Sequence, residues 1–147
     1  QSALVDVAVG IIRRPDGAVL MTSRPLGKPY AGYWEFPGGK LEMGETVTQA
    51  LARELQEEIG FKAERLIPLK TVALAPGYFS ATMHIVLALD LTASSLPGDE
   101  PEPLELVSWQ WQQQFELLDQ SDFTEARSVA ALFLARDYLD KHQDVFK

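Results

Sequence analysis

Three glutamates, Glu54, Glu57 and Glu58, stand at positions i, i+3 and i+4 of a segment whose apolar residues Val47, Leu51, Leu55 and Ile59 recur every four places. That period predicts a helix over 47–59, opened by the capping-box pair Thr46 and Gln49 and stopped by Gly60. At about 100° per residue the three acids fall within one arc of roughly 100°. Like charges so spaced each cost a helix about 0.2–0.5 kcal/mol per pair unless a cation lies between them. Such a face is either solvated or a set of oxygen ligands, and oxygen-only ligands suit the hard cations Mg²⁺ or Mn²⁺.

The neighbouring residues favour the ligand reading. Gly38-Gly39 permits close backbone approach just before the helix, and Arg53, four residues from Glu57, can hold that carboxylate in place. The whole chain carries a formal charge of -8, from 21 acidic and 13 basic residues, so its field repels nucleic acid polymers. A polyphosphate must therefore be received through a local cationic device, which points to a bound metal.

With 147 residues, 46% of them apolar and 23% charged, the chain fits a single domain spanning 1–147. No cysteine is present, which removes disulfides, thiolate metal sites and cysteine nucleophiles together. No apolar run approaches the roughly 20 residues of a membrane span, and the first ten residues lack the basic flank of a signal peptide. The expectation is a cytoplasmic protein without a membrane partner.

The remaining pattern predicts a hairpin of strands Val5–Ile12 and Ala18–Thr22 around Pro15-Asp16-Gly17, then a short aromatic stretch, Tyr33–Phe36. Further strands are expected at Leu69–Ala75, Thr82–Leu89 and Leu104–Trp111, with an exposed loop over Ser94–Pro103. A second helix is expected from a box-like Asp122/Glu125 pair to about Lys141, with Ala126, Val129, Ala130, Phe133 and Tyr138 facing the core. This order implies an α/β fold with a mixed β-sheet and helices on its faces.

Gly39, five residues, Glu45, seven residues, then Arg53-Glu54-Leu55-Gln56-Glu57-Glu58-Ile59-Gly60-Phe61 resembles the Nudix box at every defined position. The resemblance implies an α/β/α sandwich and metal-dependent attack of water on a nucleoside diphosphate linked to another group. It assigns the metal to Glu54, Glu57 and Glu58, with the Gly39 carbonyl as a further ligand. Glu54 would orient or deprotonate the water, while Glu45 and Arg53 would hold loop and helix together.

The rest of the chain divides. The first half, including Arg24 and Trp34-Glu35-Phe36-Pro37-Gly38-Gly39-Lys40, is similar to MutT-type nucleoside-triphosphate pyrophosphohydrolases. That likeness implies substrate contacts at Arg24, Glu35 and Phe36. Lys40, beside the glycines, is a candidate for the outer phosphates. The second half lacks the asparagine of oxidised-guanine recognition, with Gln120-Ser121-Asp122 in that region. It resembles the bacterial ADP-compounds hydrolases (NudE type) at Ala75–Ser80, Gly98–Leu104 and Phe123–Arg127, which implies ADP-ribose, NADH or adenosine dinucleotides as substrates. The junction falls near Gly60-Phe61, the pattern a chimera of two members would show.

Among the loop acids, Glu102 is preferred as an additional metal ligand over Glu100 and Glu105, because the Gly-Asp-Glu-Pro-Glu-Pro segment resembles the ADP-compounds type. Tyr78 could stack on a base. His84 and His142 have no partner at ligand spacing. The ADP-compounds type carries an N-terminal dimerising region for which this chain begins too late, so a monomer is expected over a homodimer. The competing function is a catalytically idle nucleotide-binding scaffold, against which the intact acidic motif argues.

Overall fold

The computed structural model describes residues 5–78, 80–94 and 105–143. At its centre lies β1 (Val5–Arg13), which pairs in parallel with β6 (Ala81–Ala93) from Val5↔Ala81 to Ile12↔Ala88. The other edge of β1 is shared: β4 (Gly38–Lys40) takes Val7, Ala8 and Val9, whereas β2 (Ala18–Ser23) takes Ile12 and Arg13. Past that point β2 pairs with β3 (Trp34–Glu35) and, along its length, with β7 (Leu106–Gln110). The sheet therefore forks, and the Phe36-Pro37 link between β3 and β4 bridges the two prongs. On the far side β6 pairs with β5 (Phe61–Ala73), which ends the sheet.

Alternation along β1 explains the layers. Val9 and Ile11 point into a core shared with α3 (Ala126–Lys141) through Ala131, Leu132, Ala135 and Leu139. Ala8 and Ile12 point the other way, against Ala50, Leu51, Leu55 and Ile59 of α1 (Val47–Ile59). Full burial of a residue such as Leu51 or Leu55 contributes about 1.5–3 kcal/mol. Helices on both faces of a mixed sheet make the α/β/α sandwich that the motif implied. Gly10 permits the close seating of α1, because a Cβ there would stand 3.0 Å from the Leu51 side chain.

The first helix forms over the residues its periodicity predicts. Gln49 N–H donates to Thr46 Oγ1 at 3.2 Å and Thr46 N–H donates to Gln49 Oε1 at 2.9 Å, which completes the capping box. Gly60 ends the helix at φ 70°, and its N–H reaches the Gln56 carbonyl.

Elsewhere the structure corrects the expected elements. β5 begins directly after Gly60 rather than at Leu69, since Lys62, Glu64 and Arg65 lie on an edge strand with a half-solvated alternation. Pro68, a strand breaker in a central position, is tolerated there beside a register shift. β4, a short helix α2 (Gln114–Leu117) and a 3₁₀ turn at Trp111–Gln113 were not anticipated.

The last helix starts at Ala126, not near Asp122, because Glu125 itself is the N-cap and accepts from the Arg127 and Ser128 N–H groups. Its buried stripe is Ser128, Ala131, Leu132, Ala135 and Leu139. Of the expected core residues, Phe133 is 49% exposed, Ala126 and Ala130 are also exposed, and Val129 and Tyr138 are half-buried. Apolar residues surround most of this helix, so two stripes compete, and the one with small residues seats closer to the sheet.

Candidate active site

Arg53 is the hub of the acidic helix. Its Nε donates to Glu45 Oε2 at 2.8 Å and its second terminal nitrogen donates to Glu45 Oε1 at 3.0 Å and to the Lys40 carbonyl at 3.2 Å. The first terminal nitrogen reaches Glu54 at 3.1 Å and Glu57 at 3.4 Å. One guanidinium thus ties β4, the loop after it and two acids of α1 together. Those bonds from Arg53, with the Glu42 N–H adding to them, hold the Glu45 carboxyl down to about 2. The same contacts raise Arg53 further above its ordinary range.

Glu54 and Glu58 face each other one helical turn apart. Burial, then the Glu54 carboxyl against it, pushes Glu58 up to about 8, although the Gly38 N–H that hydrogen-bonds it pulls the other way. Strand β4 passes directly over the pair, since a Cβ on Gly39 would collide with the Glu54 carboxylate. A Cβ on Gly38 would strike the Ala8 carbonyl, so both glycines are required by close approach.

Glu57 departs from this pair: its side chain is 54% exposed and is drawn to Arg53, against 12% exposure for Glu54. Among the described residues no three acidic or histidine side chains converge on one point. Arg53 draws on both Glu54 and Glu57, while Glu58, buried beside Glu54, is held well above the usual carboxylate range. The donor set suits a hard divalent cation all the same, because two carboxylates crowded together beneath a glycine backbone need positive charge to ionise jointly.

A cleft opens from this floor into the fork of the sheet. Its first lobe, about 240 Å³, is lined by Gly38, Gly39, Glu58, Phe36, Thr22 and Ser23 among others. A second lobe, about 380 Å³, is walled by Tyr30, Tyr33, Trp34 and Thr124. Arg24, Glu35, Glu125 and Arg127 line both. Arg24 donates its Nε to the Pro29 carbonyl at 2.8 Å and pairs with Glu35 at 3.2 Å, while Arg127 Nε donates to Glu125 at 2.9 Å. Ser128 fixes this wall: the Phe36 N–H donates to its Oγ at 3.0 Å, and the hydroxyl donates to Glu125 at 2.9 Å.

The family model described as NUDIX domain matches residues 4–133. The chain belongs to the Nudix family. It is 51% identical over 104 residues to the ADP compounds hydrolase NudE of Escherichia coli strain K12, a match covering 71% of this chain and 56% of that protein. It is also 51% identical over 67 residues to the 8-oxo-dGTP diphosphatase of Proteus vulgaris, covering 46% of this chain and 60% of that one. The matches thus span little more than half the length of these curated relatives. Among solved structures, that of an ADP compounds hydrolase superposes with a TM-score of 0.86 at 38% identity, covering 97% of this chain and 76% of the other.

Within this Nudix fold the expected site residues divide. Gly39, Glu54 and Glu58 meet at the floor, Arg53 braces it, and Arg24, Glu35 and Phe36 line the cleft. Lys40 does not join them: it borders the β4–α1 loop with Glu42 and Glu45, and only its carbonyl serves, under Arg53. Tyr78 is 89% exposed in the turn after β5 and lines neither lobe, because the tight turn closed by its own N–H to Ala75 carries it outward. Glu100 and Glu102 lie outside the described residues; Glu105 is exposed, and its carbonyl accepts from the Ser23 N–H at 2.9 Å.

Sequence reasoning missed Glu125, Arg127, Tyr30 and Tyr33 as cleft residues. A signal existed for the first two: an acid and an arginine at a helix start, within the Phe123–Arg127 segment that resembles the ADP-compounds type. Nothing local marks Tyr30 and Tyr33, whose place in the cleft depends on how the β2–β3 loop packs against α3.

Proposed function

We propose that this chain is a divalent-metal-dependent hydrolase that cleaves the diphosphate linkage of nucleoside-diphosphate derivatives, with ADP-linked compounds as its substrates. The observation that carries this reading is the apposed Glu54 and Glu58 beneath Gly38-Gly39 at the floor of a cleft. Glu54, Glu58, Glu57 and the Gly39 carbonyl would hold the metal, Mg²⁺ or Mn²⁺, and Glu102 is retained as a further ligand. When bound, such an ion supplies Lewis acidity toward phosphoryl oxygens and lowers the pKa of an attacking water.

The chain's own residues do the rest. In this reading Glu54 would orient the water and accept its proton, and Arg53, bonded to Glu54 and Glu57, would hold both carboxylates in position. Gly38 and Gly39 let β4 lie close against Ala8 and Glu54 at the edge of the cleft. The cleft that runs outward from the floor supports a substrate with an extended group beyond the linkage, and the extent of likeness to the ADP compounds hydrolase supports the choice of ADP-linked compounds. Arg24, Glu35 and Phe36 favour a second reading, nucleoside triphosphates, in keeping with the likeness to an 8-oxo-dGTP diphosphatase.

A product assay with Mg²⁺ separates these. AMP plus a phosphorylated partner from ADP-ribose, NADH or diadenosine triphosphate is expected; pyrophosphate from 8-oxo-dGTP would move the assignment to the second reading. No metal-dependent turnover on any of them would leave the idle scaffold. Glu57→Gln is expected to lower kcat by about 10²-fold or more while the protein stays folded by circular dichroism. The monomer expectation joins this proposal and is checked by light scattering.

A further inference from the structure

The charges at the waist of the cleft do not suit a phosphate. Two arginines, Arg24 and Arg127, stand among two acids, Glu35 and Glu125, and sum to zero formal charge. A phosphate dianion placed there would face two carboxylates as well as two guanidiniums. Ribose hydroxyls and a base edge fit better, since the acids accept from hydroxyls and the arginines donate to ring nitrogens or carbonyls. Arg127 spends its Nε on Glu125, and its terminal nitrogens have no acceptor within hydrogen-bond distance among the described residues, with Glu35 4.0 Å away.

The second lobe beyond the waist is of another kind. Tyr30 and Tyr33 meet edge to face with ring centroids 5.6 Å apart, and Trp34 adds a third ring. Tyr30 is 72% exposed, yet its backbone holds φ 59°, a strained value for a tyrosine. The Tyr33 N–H to Tyr30 carbonyl and Gly32 N–H to Arg24 carbonyl bonds maintain that conformation. An aromatic kept exposed at a conformational cost, on the wall of a cavity of about 380 Å³, has the attributes of a stacking platform.

We infer that the Tyr30–Tyr33–Trp34 lobe takes the base of the nucleoside half of the substrate, and that Arg127 with Glu125 reads its ribose and base edge. This rests on the proposed reading of the cleft as a site for nucleoside-diphosphate derivatives. It adds the direction in which the substrate lies: diphosphate on Gly38, Gly39 and Glu58, nucleoside outward between the last helix and the β2–β3 loop. Arg127 is thereby a specificity-determining residue supplied from the far end of the chain.

The test is equilibrium binding, in Mg²⁺, of AMP and of ribose 5-phosphate to the full chain, by calorimetry or tryptophan fluorescence. The wild type is expected to hold AMP at least about tenfold tighter than ribose 5-phosphate, because only AMP carries a base to stack on the rings. Tyr30→Ala should remove most of that difference and leave ribose 5-phosphate within about twofold, while Arg127→Gln should weaken both ligands, AMP more. Equal affinity of the two ligands for the wild type, or an equal loss of both in Tyr30→Ala, would overturn the inference. Tyr30 is exposed on a loop, so its truncation leaves the core intact, and circular dichroism verifies this. A chain that discriminates AMP but turns over no diphosphate would sink the hydrolase reading and uphold the base lobe; turnover without discrimination would do the reverse.

Discussion

Arg53 and Ser128 each join separate parts of the chain through side-chain hydrogen bonds. Arg53 is a planar fork matched to Glu45 by two bonds, so Arg53→Lys should keep the charge and lose the fork. The expected result is a fall in kcat of about tenfold or more with little change in melting temperature, measured with any substrate the wild type accepts. Ser128 is buried, and Ser128→Ala leaves the Phe36 N–H without its acceptor and takes one of four donors from Glu125. A loss of about 1–3 kcal/mol in urea unfolding is expected. Glu45 yields a prediction in pH. Its folded carboxyl sits at about 2 against an ordinary 4.5, so its contribution is complete above the ordinary value and is lost as pH falls from there toward 2. Melting temperature followed from pH 6 downward should drop through that window in the wild type, and Glu45→Gln should show a shallower acid limb.

At the level of elements, α1 was legible because every local signal agreed: a period, a capping box and a glycine stop all point to the same residues. Thr46→Ala should cost about 1 kcal/mol in chemical denaturation through loss of that cap. β5 was read too short because an edge strand need not look apolar, and Lys62 to Arg65 face water along half of it. α3 was assigned the wrong stripe because apolar residues lie on more than one of its sides, and only packing against Val9, Ile11 and their neighbours selects Ala131 and Ala135. The same division applies to the site. The acids of α1 and their brace were visible as a spacing within one segment. The far wall of the cleft, Glu125 and Arg127, depends on α3 meeting β3, a contact that no local pattern encodes.

For the whole molecule, the proposed metal couples the floor of the cleft to global stability. An ion that binds only the folded chain raises its stability by RT ln(1 + [L]/Kd), about 2.7 kcal/mol at a hundredfold excess over Kd. For a chain of this length each kcal/mol is worth roughly 2–4 °C. Calorimetry should therefore show a melting temperature that climbs with Mg²⁺ and returns on chelation, with no climb in Glu54→Gln or Glu58→Gln. A melting temperature indifferent to Mg²⁺ in the wild type would argue against the metal assignment. No helix among the described residues is long and apolar enough to cross a membrane.

The bond from the Phe36 N–H to Ser128 joins residues 92 apart in sequence. On one side of it lies a short contiguous stretch, Gly38 to Glu58, that carries the proposed metal ligands; on the other, the start of the last helix, which lines the cleft. On the proposed reading, the reacting groups and part of the wall that selects the substrate are written in separate lengths of polypeptide that come together only after the chain has closed on itself. A lineage, or a designer, can exchange one length and keep the other, provided the new helix still presents a hydroxyl to the amide before Pro37.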